Sequence, residues 1–430
     1  ERKTDLLEYS KTNDTHNLKR KDIMIVFVLN KHKQPLMPCS PAKARKLLKE
    51  GKAKVIRREP FTIKLLYGSR GYKQETQAGM DTGSKKVGCA VVGNGRVYYQ
   101  SEITIRDDVS SKMESRKSYR RTRRNRKTRY RQPRWSNRAS MRKEGRIAPS
   151  IQSKVDSHLR EKNFVEKILP ISEWIVEVAD FDIHKITNPD VTGKEYQEGQ
   201  QKDFYNTKAF VLVRDNYRCQ NSKAGIKHSK ALHVHHIVFR SQGGTNSPSN
   251  LITLCESCHK ALHRGDFSIT KPRSKTRHPT QIGIVKGALI SSWSFTLTFG
   301  YETKFKREQL LGLSKTHYHD AVAICYTGSN PIQLSNTVYF KRHVASGDYQ
   351  QRKGKHSEKI IPTGKLFGLR KFDYIDTIKG KGFVKGKRSS GYFSIMDIHG
   401  NAISNSVNIK NSSCQRLSAR TTTLIQRESI

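Results

Sequence analysis

Short apolar runs alternate with polar turns along most of this chain, and their period changes several times. "MIVFVLN" at 24–30 predicts a strand, and "KHKQPLMPCSP" the turn after it. "PAKARKLLKEGKAKV" predicts a basic helix stopped at Gly51, and "PFTIKLLY" a further strand. Three strands follow between Ala78 and Ile105, separated by "DTGSKKVG" and "GNG", the pattern of an antiparallel meander. Ile151, Val155, Leu159, Val165 and Leu169 then recur at helical spacing before Pro170. "EWIVEVADFDI" is an apolar strand with an acid inside it, "FYNTKAFVLVRD" and "TQIGIVKGALISSW" are helical, and "HYHDAVAICYTG" opens another helix near 317. Beyond 335 glycine-broken strands predict a small β-barrel or sheet, followed by a Ser/Thr/Asn-rich end that reads as frayed.

Composition changes this picture through charge. With 430 residues the chain can bury two or three domain cores. Its formal net charge is +45, so a polyanion is the expected partner, with salt-sensitive affinity. The apolar run "IMIVFVL" is too short to span a bilayer or complete a signal peptide, which favours nucleic acid over membrane and an intracellular place. Seven sparse cysteines form no disulfide framework, and Cys255 with Cys258 makes a Cys-x-x-Cys that points to metal. Residues 1–22 are polar and unpatterned, and Met24 reads as nearer the natural start.

The densest chemistry is "LHVHHIVFRSQGGTNSPSNLITLCESCHKALH", residues 232–263. A histidine pair ending a strand, an asparagine after a Gly-rich loop and a histidine opening a helix form the ββα-metal arrangement of HNH nucleases. One-metal phosphodiester hydrolysis needs a base beside the attacking water and a divalent ion on the phosphate. His236 is the candidate base, His235 and His259 are candidate ligands, and Asn250 is expected to hold the loop and orient the base. The bland alternative is a zinc-stabilised module without catalysis. Cys255, Cys258 and Cys219 supply three zinc ligands, but Ser222 stands where a fourth cysteine belongs. Either a substitute such as His228 or water completes the set, or the module holds together without zinc.

A second constellation is dispersed: Asp81 at a strand end, Glu177 within an apolar strand, and His317 with Asp320 at a helix start. Singly, such acids more often face solvent or cap helices. In this order they match the ribonuclease H-like RuvC nuclease, whose carboxylates gather two Mg²⁺ ions on a phosphate. Between Asp81 and Glu177 lies "RKSYRRTRRNRKTRYRQPRW", with eleven Lys or Arg and no acid. As a helix it has no apolar face to hold it on protein, so it is expected to order on RNA, whose phosphates neutralise Arg116, Arg120, Arg121, Arg123, Arg124, Arg126, Arg129 and Arg131. A targeting signal or a solvated linker would explain the charge, but not the interleaved Tyr119, Tyr130 and Trp135.

With "QPLMP" at 34–38 and these motifs in this order, the chain resembles, from about residue 24 to 400, the IscB family: transposon-encoded, RNA-guided DNA endonucleases related to type II CRISPR effectors. The resemblance implies an α/β multidomain protein. Its ribonuclease H-like (RuvC) core is split in sequence, with an inserted ββα-metal HNH domain, an arginine-rich bridge helix and a C-terminal β-rich barrel that reads a target-adjacent motif. The implied boundaries are an extension at 1–22, a PLMP domain at 23–70, RuvC-I at 78–112, the bridge at 113–136 and RuvC-II at 151–187. A linker at 188–214, HNH at 215–266, RuvC-III at 267–334, the motif-reading domain at 335–405 and a flexible tail at 406–430 follow.

By the same resemblance, Asp81, Glu177, His317 and Asp320 would cut the displaced strand with two Mg²⁺ ions. His235, His236, Asn250 and His259 would cut the guide-paired strand with one, Mn²⁺ being a substitute. Arg370, Lys371, Lys387 and Arg388 would contact DNA. The implied partners are one guide RNA per chain and a double-stranded DNA target, in a prokaryotic cytoplasm and at the nucleoid when DNA is bound. Two competing readings stay open: a homing-type HNH endonuclease that recognises DNA by protein contacts alone, and an RNA-binding protein with degenerate nuclease sites.

Overall fold

Four consecutive buried residues make β1, Val26–Leu29, and strand alternation sends them to two cores. Val26 and Val28 join Ala44 and Ile63 in a small core, while Phe27 enters the main core and meets Tyr99 edge-on at 6.4 Å. The small core belongs to a four-stranded sheet of order β2-β1-β4-β3, with β2 Pro35–Cys39, β3 Ala53–Arg57 and β4 Thr62–Leu65. The helix Pro41–Lys49 is capped by Ser40, whose side chain accepts from Lys43 N. The computed structural model describes residues 24–68, 70–71, 73–125, 147–178, 204–222, 225–240, 244, 246–270, 277–328, 331–346, 367–388, 390–403 and 409–430. It divides into one unit of Glu1–Ala179 with Ile284–Ile430, and a second of Asp180–Gly283.

The first unit is organised by a seven-stranded sheet of order β11-β8-β5-β6-β7-β12-β18. Its strands are β5 Gln77–Asp81, β6 Lys86–Gly93, β7 Arg96–Thr104, β8 Glu173–Glu177, β11 Thr296–Thr298, β12 Thr337–His343 and β18 Thr423–Ser429. β5 to β7 form the antiparallel meander, and β8 runs parallel to β5. Two glycines decide what lies on this sheet. A Cβ at Gly88 would sit 1.8 Å from the carbonyl oxygen of His317, and one at Gly79 2.3 Å from that of Ala321. The helix His317–Ile324 therefore rests on the sheet at backbone distance, which only glycine permits.

Behind the sheet, helix Pro149–Glu166 buries Glu161, whose carboxylate accepts from Lys341 Nζ at 2.7 and 2.8 Å, Tyr99 Oη at 2.7 Å and Ser101 Oγ at 2.9 Å. Lys341 is fully buried on β12 and also lies 3.5 Å from the centre of the Phe164 ring. This ion pair fastens β12 to the main core from 180 residues away. β12 thus belongs to the large sheet, not to the C-terminal domain that was expected to begin at 335.

That C-terminal domain is an open five-stranded sheet among the described residues, in place of the expected barrel. Its order is β16-β15-β14-β13-β17, with β13 Tyr374–Thr377, β14 Gly380–Lys387, β15 Tyr392–Met396, β16 Ile409–Lys410 and β17 Gln415–Ser418. The stretch expected as a flexible tail supplies β16, β17 and β18: its alternating "TLIQRES" pairs along the whole of β12.

In the second unit, Arg214 and Asp215 at the end of helix Thr207–Arg214 tie that helix to the strands: Arg214 donates to the carbonyls of Pro248 and Leu251, and Asp215 accepts from Thr253 N. The expected linker at 188–214 therefore ends in a structural part of the module. Strands β9 Leu232–His236 and β10 Leu251–Cys255 pair antiparallel, and helix Glu256–Arg264 follows to complete a ββα unit.

Candidate active sites

At the carboxyl ends of β5 and β8, Asp81 and Glu177 are register partners on adjacent parallel strands. His317 reaches the same end from its helix and donates from Nδ1 to Asp81 Oδ2 at 2.6 Å. Asp320, one turn further on, accepts from the buried Arg307 guanidinium. The four dispersed sequence candidates are thus gathered at one end of one sheet. Burial holds Asp81 above the usual carboxylate range, opposed by the His317 hydrogen bond. Burial and then the neighbouring Asp81 push Glu177 up to about 7. His317 is raised in turn by its bond to Asp81.

Carboxyls crowded enough to resist ionising together are a fitting donor set for divalent cations. Arg307 is absent from the sequence reading: it lies in the single π-turn Lys306–Leu310, and no motif marks it as the partner of Asp320.

In the ββα unit, strand alternation turns His235 toward the helix and His236 away from it. His235 meets His259 and His263, whose spacing of four puts them on one helix face. One ring nitrogen from each of the three lies within 4.8 Å of the others. His235 is buried, and its Nε2 has no hydrogen-bond partner. Burial first, then His259 and His263, hold its pKa at about 4, and burial with His263 lowers His259 as well. Neutral imidazoles with an orphaned buried nitrogen fit a divalent metal. His263 is a ligand candidate that sequence reading missed, although the His-x₃-His spacing was there to find it.

Asn250 holds the loop: its Oδ1 accepts from Val238 N at 2.9 Å, and its Nδ2 donates to Val238 O at 3.1 Å. The proposed base itself meets Asn246, whose Oδ1 lies 3.0 Å from His236 Nε2.

The cysteine set is Cys219, His228, Cys255 and Cys258, again within 4.8 Å. His228 Nδ1 is 3.5 Å from both Cys255 Sγ and Cys258 Sγ, so a histidine occupies the place that Ser222 could not fill. Burial opposes ionisation of Cys255, yet backbone N–H groups and His228 bring it down to about 6. Burial and the neighbouring cysteines push Cys258 up to about 11. Three thiols and one imidazole in a tetrahedral-sized set fit zinc.

The basic helix is Val109–Asn125, beginning before the expected 113. It has no buried residue among 109–122. Arg116, Arg120 and Arg121 are exposed on it. The side chains of Arg123 and Arg124, and all of Arg126, Arg129 and Arg131, lie outside the described residues. Arg370 and Lys371 precede β13, Lys387 ends β14 and Arg388 follows it. Because Tyr374 pairs with Phe383, all four collect at one end of that ribbon.

The chain matches the family described as RRXRR protein over residues 26–199 and the HNH endonuclease family over 218–265. Together the two matches support a nuclease of the HNH/RuvC class, and the chain carries an HNH endonuclease domain. It is also 32% identical over 77 residues to anaredoxin of Nostoc sp. (strain PCC 7120), a span covering 91% of that protein and 16% of this chain. By that likeness the chain includes a module of anaredoxin's family. No helix among the described residues is long and apolar enough to cross a membrane.

Proposed function

We propose that this protein is a guide-RNA-directed DNA endonuclease of the IscB kind, whose HNH module cuts the guide-paired strand and whose carboxylate site cuts the displaced strand. The observation that carries the reading is the presence, in one chain of net charge +45, of two separately built hydrolytic sites: Asp81, Glu177, His317 and Asp320 on the large sheet, and His235, His236 and His259 in the ββα unit. One site cuts one strand, so a double-strand break needs two. An exposed arginine-rich helix between the two sheet carboxylates supplies phosphate contacts suited to RNA.

His235, His259 and His263 would hold one divalent ion, and Asp81, Glu177, Asp320 and His317 would hold two. Such ions, when bound, polarise the phosphate and favour hydroxide at neutral pH. His236 donates from Nε2 to Asn246, which leaves the Nδ1 lone pair to take the proton of the attacking water. His317 holds the Asp81 carboxylate in one orientation. Arg370, Lys371, Lys387 and Arg388 meet the DNA flanking the guide-paired segment, phosphate first.

The test is to purify the protein with its bound RNA and assay cleavage of matching duplex DNA in Mg²⁺ before and after complete RNA removal. Loss of both cuts without RNA, restored by adding it back, is expected. Cleavage that persists without RNA identifies a protein-guided HNH endonuclease instead, and no cleavage under any condition identifies an RNA-binding protein with idle sites. Replacing Arg120, Arg123, Arg124 and Arg126 with Gln should weaken RNA binding and flatten its salt dependence.

A further inference from the structure

The carboxylate site has an aromatic margin that the hydrolytic chemistry does not use. β11, the edge strand of the large sheet, leads into Phe299 and Tyr301, whose rings lie 6.0 Å apart and 7° from parallel. Tyr301 is 72% exposed and Phe305, on the same segment, 57%. Clustered exposed apolar surface of this kind marks a place of contact. Between the two stacked rings stands Gly300, where an added Cβ would come within 3.1 Å of Glu177 Oε1. The rings therefore flank in sequence a residue that lies directly against a catalytic-site acid, and Thr303 on the following turn hydrogen-bonds the same Glu177 carboxyl.

Tyr301 is also held in place. Its hydroxyl donates to Glu302 Oε1 at 3.1 Å, and Glu302 Oε2 accepts from Thr298 Oγ1 at 2.6 Å. Lys304 and Lys306 alternate with Phe305 on the adjoining turn, so cations and rings are interleaved. That mixture suits single-stranded nucleic acid, where cations take the phosphates and rings take the bases. A duplex buries its base faces in its own stack and offers the rings nothing.

We infer that Phe299 and Tyr301 form a stacking platform for unpaired bases of DNA, which lays the adjoining phosphate beside Glu177 and Asp81. The inference rests on reading that site as the one that cuts the displaced strand. The platform acts through positioning and takes no part in bond breaking.

The test uses the full-length protein and a short single-stranded DNA carrying one 2-aminopurine, with Ca²⁺ in place of Mg²⁺ so that cutting does not intervene. Stacking should quench the 2-aminopurine on binding. The double substitution Phe299→Ala, Tyr301→Ala should abolish the quench and weaken binding about 5- to 100-fold. Tyr301→Phe should preserve both, and all variants should bind the duplex of the same sequence equally and melt together. With 5-iododeoxyuridine in the strand, illumination should crosslink it to Tyr301. Unchanged quenching in the double variant, or crosslinking of the strand elsewhere on the chain with none at Phe299 or Tyr301, overturns the platform. The two readings fail separately. If Asp81→Ala still cuts both strands while the aromatic variants lose the quench, the platform stands and the cleavage assignment falls. If Asp81→Ala loses one cut while the aromatic variants bind like the parent, the platform alone falls.

Discussion

His317 donates a 2.6 Å hydrogen bond to Asp81 across 236 residues of sequence, and the contact exists because Gly88 lets the His317 backbone lie on the sheet. The residues it joins belong to one site and the ββα histidines to another, so the two should fail independently. Asp81→Ala should slow cutting of the displaced strand by at least about 100-fold and spare the other; His236→Ala should do the reverse. Strand-specific end labels read the outcome directly. Either single change abolishing both cuts, with RNA still bound, would refute the two-site assignment.

Gly88→Ala offers a structural check on the same contact. The methyl would meet the His317 carbonyl, so the helix must lift from the sheet. We expect a stability loss of about 2 kcal/mol or more by denaturant melting, together with loss of displaced-strand cutting.

Zinc should be carried by Cys219, His228, Cys255 and Cys258, at one ion per chain. His228→Ala should release it to a chelator at far lower chelator concentration than the parent, whereas Ser222→Ala should leave it bound. Colorimetric zinc release and thermal melting of the two variants measure this. Equal release from both would remove His228 from the set.

Lys341 and Glu161 form a fully buried ion pair. Removing one partner leaves the other charge uncompensated, so Lys341→Met should cost about 3–5 kcal/mol of stability. Adding Glu161→Gln should restore part of that loss, because the uncompensated charge is gone. A double-mutant cycle by urea melting yields the coupling.

Acid should destabilise the first unit through two buried histidines. Burial, then Arg160 and Lys341, holds His343 down at about 3, and burial holds His158 at about 4. Neither ring nitrogen of His343 has a hydrogen-bond partner. An unfolded histidine takes its proton near pH 6.5, so below that pH the unfolded chain binds more protons and stability falls. The loss grows by about 1.4 kcal/mol per pH unit for each ring and is complete only below its folded pKa. His343→Leu should flatten the decline of Tm between about pH 6.5 and 4.5. An unchanged slope would show that His343 does not contribute.

Sequence alone determined the local elements: the meander at 78–105, the ββα spacing around His235 and Asn250, and the strands near Val26 and Trp174. Each follows from a period or turn signal contained in a short window. It also determined which residue types could do chemistry, because Asp81, Glu177, His317 and Asp320 fall where strands end and a helix begins. Only tertiary structure brought those four together, through glycines whose missing side chains leave no mark on periodicity. It alone found Arg307 on Asp320 and Asn246 on His236, since a partner that arrives from another turn has no fixed spacing, and it singled out His228 from the two substitutes the sequence left open for the cysteine set. The C-terminal strand Thr423–Ser429 shows the same limit: polar composition made it read as frayed, and pairing along β12 made it a strand.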